Sequence, residues 1–314
     1  MLRSVMRFAL VTGAALVVST GCYGQELVYR LDPEVGVPYR GTTTTETRTQ
    51  SQVQGMDVEI AMTMQMDQDV VFEAGADDTV VGRYTISSVS AEFGGMPGLD
   101  QAPFDPNDLY QGMVGLTFTT VMNRNGRMVD LGGLEEMFEA MLDQTEASAQ
   151  MREMFSQVLE ANLGEEQMKQ MTGQSGLSMP DHPVAVDDVW TDSVSVLGIE
   201  LETSYTLAER NDGVASIEAS GSISGADDAG FEFPGLPNMP GLGMLYENLS
   251  GSIAGSFELE EATGLTVAYS MNMTMATDLV MEVPAVEGQP AGATSMSMSV
   301  SMQTTVEGTL ARAE

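Results

Sequence analysis

The chain has 314 residues, 43% hydrophobic but only 6% aromatic, with 26 methionines, one tryptophan, one cysteine and one histidine. Its formal net charge of −34 repels nucleic acid and anionic membrane surfaces. One cysteine excludes an internal disulfide, and with a single histidine beside it the usual His/Cys zinc site is excluded too.

The N-terminus reads as an export signal. Arg3 and Arg7 precede an apolar run from Phe8 to Val18 that is too short to span a bilayer. Two processing readings stand. Cleavage after residue 21 leaves Cys22 at the mature N-terminus, where it can carry a lipid anchor, although Ser19 stands where such signals usually have an apolar residue. Ordinary cleavage after Gly24 discards Cys22 with the signal.

A first β unit is expected over residues 22–131. Tyr29–Tyr39 is a lead-in, and Arg40–Val53 is a Thr- and Gln-rich strand that reads as an edge. Met56–Phe72 carries Val58, Ile60, Met62, Met64 and Met66 on one parity, so these side chains share one face of a strand. Val80–Phe93 returns, and its apolar parity switches between Ile86 and Val89, which predicts a bulge at Ser87-Ser88. After a Gly/Pro-rich loop, Gly115–Met122 and Met128–Leu131 form a hairpin about Asn125-Gly126.

Residues 132–172 change period. Leu134, Met137, Phe138, Met141 and Leu142 recur at three and four, as do Met151, Met154, Phe155, Val158, Leu159 and Leu163. This predicts an amphipathic helical insertion.

β grammar resumes over 173–314. Strands are expected at Val189–Val196, from Leu197 to Leu207, and from Ala215 to Ile223. A loop follows over Ala226–Leu249, then strands at Ile253–Leu259, Leu265–Val283 and Ser295–Leu310. The last run places Met296, Met298, Val300, Met302, Val306 and Leu310 on one parity, with Ser, Gln, Thr and Glu filling most of the other. Met271, Met273 and Met275 repeat the pattern.

The order of pieces also repeats. Gly55–Glu59 matches Gly198–Glu202, and Glu92–Pro97 matches Glu232–Pro237. The expected fold is mainly β in an α+β arrangement: a large curved antiparallel sheet or half-barrel. Two duplicated units build it into one compact domain, and the helix packs on its concave face.

No catalytic constellation stands out. His182 lies beside Pro183 in a linker, and neither a nucleophile elbow nor a phosphate loop is present. No enzyme activity, cofactor or metal is expected. The favoured site is a methionine-lined concavity of Met62, Met64, Met66, Met271, Met273, Met275, Met296, Met298 and Met302, binding a lipid or other apolar small molecule. The alternatives are a purely structural protein with a methionine core, and Cu(I) held by thioethers. The expected location is the periplasm or outer envelope, touching membrane only through a lipid anchor on Cys22.

His182-Pro183-Val184-Ala185-Val186-Asp187-Asp188-Val189-Trp190 resembles the Pro-x-Pro-Val-x-Val-Gly-Asp-x-Trp stretch of a family of exported bacterial proteins of unknown function. Asp187 stands in place of the Gly. The resemblance extends over most of the mature chain and implies no activity. The shape it implies is similar, by architecture alone, to outer-membrane lipoprotein-carrier half-barrels.

Overall fold

A computed structural model of the chain describes residues 26–53, 56–95, 110–133, 177, 179–196, 198–225, 230–233, 242–282 and 295–313. Twelve strands form one antiparallel sheet: β1 (Pro38–Val53), β2 (Met56–Ala74), β3 (Val80–Gly94), β4 (Thr117–Met122), β5 (Met128–Gly132), β6 (Val189–Val196), β7 (Ile199–Asn211), β8 (Val214–Gly225), β9 (Gly230–Phe233), β10 (Leu242–Glu260), β11 (Leu265–Glu282) and β12 (Ser295–Arg312). The spatial order is β5-β4-β3-β2-β1-β12-β11-β10-β8-β7-β6, with β9 paired to β10. The two expected β units therefore join into one sheet through the β1–β12 pair.

Three expectations change. Over the described residues the fold is all-β, not α+β: apart from two helical residues, Tyr110 and Gln111, every regular element is a strand. The expected insertion from Leu134 to Leu163 lies outside the described residues. β1 is not an edge but is hydrogen-bonded on both sides, to β2 and β12. β-Branched threonine suits a pleated strand between two partners, and its polarity misled the edge assignment. The Ala226–Leu249 loop is shorter than expected, because β9 and the first half of β10 run through it. The bulge is where the parity switch put it: Asp67 pairs with Ser88 and Gln68 with Ile86, leaving Ser87 as the extra residue.

Residues directly opposite in an antiparallel pair share a face. Following the registers gives one continuous inner face across the sheet. It includes Phe72, Val70, Met66, Met64 and Met62 on β2, Thr43 to Thr49 at alternate positions on β1, and Val306 and Met302 on β12. It continues through Met271–Met275 on β11, Ile253 and Phe257 on β10, Ile217 on β8, and Leu207 and Tyr205 on β7. The outer face carries Arg40, Asp57, Glu59, Asp67, Glu258, Asp278 and Glu307 among serines and threonines.

At one end the inner face is closed by the extended segment 26–37. The Leu27 amide donates to Val184 O at 2.7 Å, just before edge strand β6, and the Val184 amide returns a bond at 3.0 Å. The Leu31 amide donates to Arg124 O at 2.7 Å, in the β4–β5 turn at the opposite edge. Asn125 in that turn also donates to Asp181. Eleven strands laid flat at 4.7–4.9 Å spacing would hold their edges about 45–50 Å apart. Leu27 to Leu31 spans at most about 14 Å of extended chain. The sheet must therefore curl at this end until its two edges nearly meet, with the apolar face inside.

Glycines permit the curl. A β-carbon at Gly221, Gly251 or Gly255 would collide with the carbonyl of Glu202, Thr274 or Ser270 on the neighbouring strand. Two core clusters fill this closed end. One gathers Leu27, Met179, Val184, Trp190, Tyr205, Leu207, Ile217, Phe257 and Leu259. The other gathers Leu31, Tyr39, Val70, Phe72, Val80 and Leu265. Tyr29, on the strap, packs against both.

Candidate functional site

The site is built from cross-strand rows on the inner face. Counted away from the strap, the first row is Met66–Thr43–Gly308–Tyr269–Phe257–Ile217, and the next is Met64–Thr45–Val306–Met271–Gly255–Ala219. Then come Met62–Thr47–Thr304–Met273–Ile253 and Ile60–Thr49–Met302–Met275–Gly251. Burial varies across these rows, from β7, β8 and β10 to β11, β12 and β2, and not with distance from the strap, since Ile253 and Ile223 in the farther rows are buried too. Ile217 and Leu207 are fully buried, whereas Met62, Met64, Met66, Met271, Met273, Met275, Met298 and Met302 are all half-buried. The methionine ladders therefore form the partly open wall of a trough, beside the buried β7–β8–β10 part of the same face.

Eight of the nine methionines proposed from the sequence thus lie on one face, but not in one patch. Met271, Met273, Met275, Met298 and Met302 share β11 and β12, where Met275 faces Met302. The β2 ladder is set apart from them by the β1 hydroxyls. Met296 is opposite Met281 in register, with its side chain outside the described residues. Cys22 also lies outside them. Among the described residues no group of three His, Cys, Asp or Glu side chains could hold a metal ion.

Sequence reasoning missed the hydroxyl file on β1. Thr43, Thr45, Thr47, Thr49 and Ser51 run down the middle of the apolar face, half-buried. Thr47 Oγ1 lies 3.3 Å from Thr304 Oγ1, and Thr43 Oγ1 lies 3.3 Å from the Tyr269 hydroxyl, whose ring crosses Gly308. The signal was present as the Thr-rich alternation of residues 42–49, but its meaning depended on which strands flank β1.

Among the described residues, few charged side chains lie on the inner face. Arg210 and Arg312 sit at the strapped end, each ion-paired, Arg210 with Glu261 through two 2.7 Å bonds and Arg312 with Glu34. Hydrogen bonds from Arg210 hold the Glu261 carboxyl below the ordinary range. Asp192, on edge strand β6, faces the trough's margin opposite Thr203. Burial pushes the Tyr29 phenol up to about 12, and burial followed by the Asp192 charge raises Tyr205.

The described grooves on the outer face are of a different kind. One, about 760 Å³, is lined by Gln50, Gln52, Asp57, Glu59, Asn248, Asp278 and Ser299 among others. Two of its carboxylates are hydrogen-bonded locally. Gln52 donates to Asp57 at 3.0 Å, and Ser299 and Asn248 donate to Asp278 at 2.6 and 3.0 Å, lowering its pKa.

The Val184–Trp190 stretch is structural. Val184 is buried against the strap, and Trp190 stacks on Tyr205 at 5.7 Å. Asp187 has φ of 72°, a left-handed conformation in which glycine is strain-free, which accounts for Gly at that place in the resembled pattern. Asp188 accepts the Ala185 amide at 2.7 Å and closes the turn. His182 is exposed in the preceding loop.

The chain belongs to a family of unknown function (DUF6263), whose pattern matches residues 98–266. No curated protein matches it. Solved structures it is similar to include lipovitellin, in a study of lipid–protein interactions, at 9% identity and a TM-score of 0.46. That match covers 90% of this chain, which spans about a quarter (26%) of the lipovitellin chain. They also include a mutant Rh. blastica porin at 11% identity and TM-score 0.24, covering 85% of this chain and 99% of the porin. A third is an outer-membrane channel from Pseudomonas putida F1 at 9% identity and TM-score 0.19, covering 92% of this chain and 99% of the channel.

Proposed function

We propose that this chain is an exported, envelope-associated, non-enzymatic protein that holds a lipid or other apolar ligand in the trough of the curled sheet. Met62, Met64, Met66, Met271, Met273, Met275, Met296, Met298 and Met302 form its wall, and no residue is catalytic. The observation that carries this reading is that the methionine ladders of β2, β11 and β12 are all half-buried on the same continuous apolar face that is buried on β7, β8 and β10. A purely structural sheet would be expected to close that face to the same extent throughout. Methionine suits a site that takes flexible acyl chains, because its unbranched side chain repacks around different shapes. The amphipathic segment Leu134–Leu163 supplies the apolar surface to cover the ligand, and the two meanders on either side of the β1–β12 pair descend from one duplicated unit. The leader over residues 1–21 directs export, and Cys22 is the attachment point if a lipid anchor is made.

Native mass spectrometry of the full chain, recovered from the envelope of its host, tests this. A co-purifying lipid and acylation at Cys22 are the expected results. A bound copper ion, or a ligand-free protein that takes up no lipid on incubation with vesicles, would overturn the reading.

A further inference from the structure

We infer that the ligand is an uncharged lipid with ester or hydroxyl groups along its length, of the diacylglycerol class, and that the β1 hydroxyl file is what selects it. This deepens the apolar-ligand reading and rests on it. Three observations carry the inference. First, among the described residues the trough wall between the strapped end and the margin has no charged side chain. The two arginines of the inner face are at the strapped end and committed to Glu261 and Glu34, and the one carboxylate outside those pairs, Asp192, is at an edge. A lipid phosphate or free carboxylate would thus find no free cation along that wall and would enter a chain of net charge −34.

Second, the wall is not pure hydrocarbon. Thr43, Thr45, Thr47, Thr49 and Ser51 recur every second residue, which places hydroxyls about 6.6–6.8 Å apart along the strand. Methionine rows lie on both sides of them. Thr43 and Thr47 are partnered, but Thr45, Thr49 and Ser51 make no side-chain hydrogen bond among the described residues. Covering those hydroxyls with alkane alone would strand donors away from water. An ester carbonyl or ligand hydroxyl at the same height satisfies them. Third, these residues are half-buried, so the file is reachable from the open trough and is not sealed in the core.

The test uses the full chain loaded with Nile red, an uncharged apolar dye, and displaces the dye with dioleoylglycerol, oleate or dioleoylphosphatidylglycerol. Dioleoylglycerol is expected to displace it at a concentration at least about tenfold lower than either anion. In Thr45→Val/Thr49→Val, an isosteric pair that keeps β-branched residues in the strand, that preference, read as the ratio of displacing concentrations within each protein so that any change in dye affinity cancels, is expected to shrink about three- to tenfold, the equivalent of one neutral hydrogen bond. Equal displacement by oleate, or an unaltered preference in the double variant, would refute the selectivity and leave the apolar-ligand reading standing. A chain that takes up neither dye nor lipid would sink both.

Discussion

Whether the methionine rows form an open wall or a closed core can be decided by comparing two truncations. Leu207 is fully buried in the strapped cluster among Ile217, Phe257 and Leu259. Leu207→Ala removes three buried carbons and leaves a closed void, so the loss should be about 3–5 kcal/mol. Met273 lies in a row between Thr304 and Ile253 and is only half-buried. Met273→Ala forfeits roughly half the transfer free energy of its side chain, and because the space opens to the trough there is no cavity contribution, giving about 1 kcal/mol. With a urea slope of about 3 kcal/mol/M, the midpoint should fall by 1 M or more for Leu207→Ala and by about 0.3 M for Met273→Ala. Equilibrium unfolding followed by far-UV circular dichroism measures both. If Met273→Ala falls as far as Leu207→Ala, the methionines are sealed packing and the trough does not exist.

Acid should weaken the fold through carboxylates held below their ordinary pKa. Glu261 contributes stability that is present above the usual glutamate range and lost as pH falls through its depressed folded value, so wild type should lose more stability between pH 5 and 3 than Glu261→Gln, read by urea midpoints. At the alkaline end the sign reverses. Tyr29, raised to about 12, stabilises fully below pH 10 and loses that contribution as pH climbs towards 12; Tyr29→Phe should remove one late tyrosinate transition from the 295 nm absorbance titration. Gly264 turns with φ of 69°, and a β-carbon there would strike the Arg30 carbonyl. Gly264→Ala should therefore loosen the strap, seen as faster amide exchange at Leu27 and Leu31. Asp187→Gly should relieve a left-handed residue and raise stability by up to about 1 kcal/mol in thermal unfolding.

The legibility of this chain divides along physical lines. Alternation is local, so the strands, the shared face of each methionine run and the extra residue at Ser87 could all be read directly. Pairing partners are not local. Nothing in Thr42–Thr49 states that Met62 lies on one side and Thr304 on the other, so a central strand was taken for an edge and the hydroxyl file inside the apolar face went unseen. Gly and Pro near residue 235 outweighed the weaker strand pattern of Leu242–Ser252, where Asn248 with φ of 56° and a register shift between Glu247 and Ser250 interrupt the alternation. The strap shows only the short alternation Leu27, Tyr29, Leu31, and its backbone partners, Val184 and Arg124, are far away in the chain.

The seam between β1 and β12 has a consequence for how the molecule is made. Fourteen residue pairs, from Tyr39↔Arg312 to Gln52↔Ser299, join segments some 250 residues apart in the chain. Until β12 has emerged, one long side of β1 offers unsatisfied amides and carbonyls to any other strand it meets. Folding therefore cannot finish vectorially. A nascent molecule must stay unpaired, or be shielded by a holding factor, until its last strand is released.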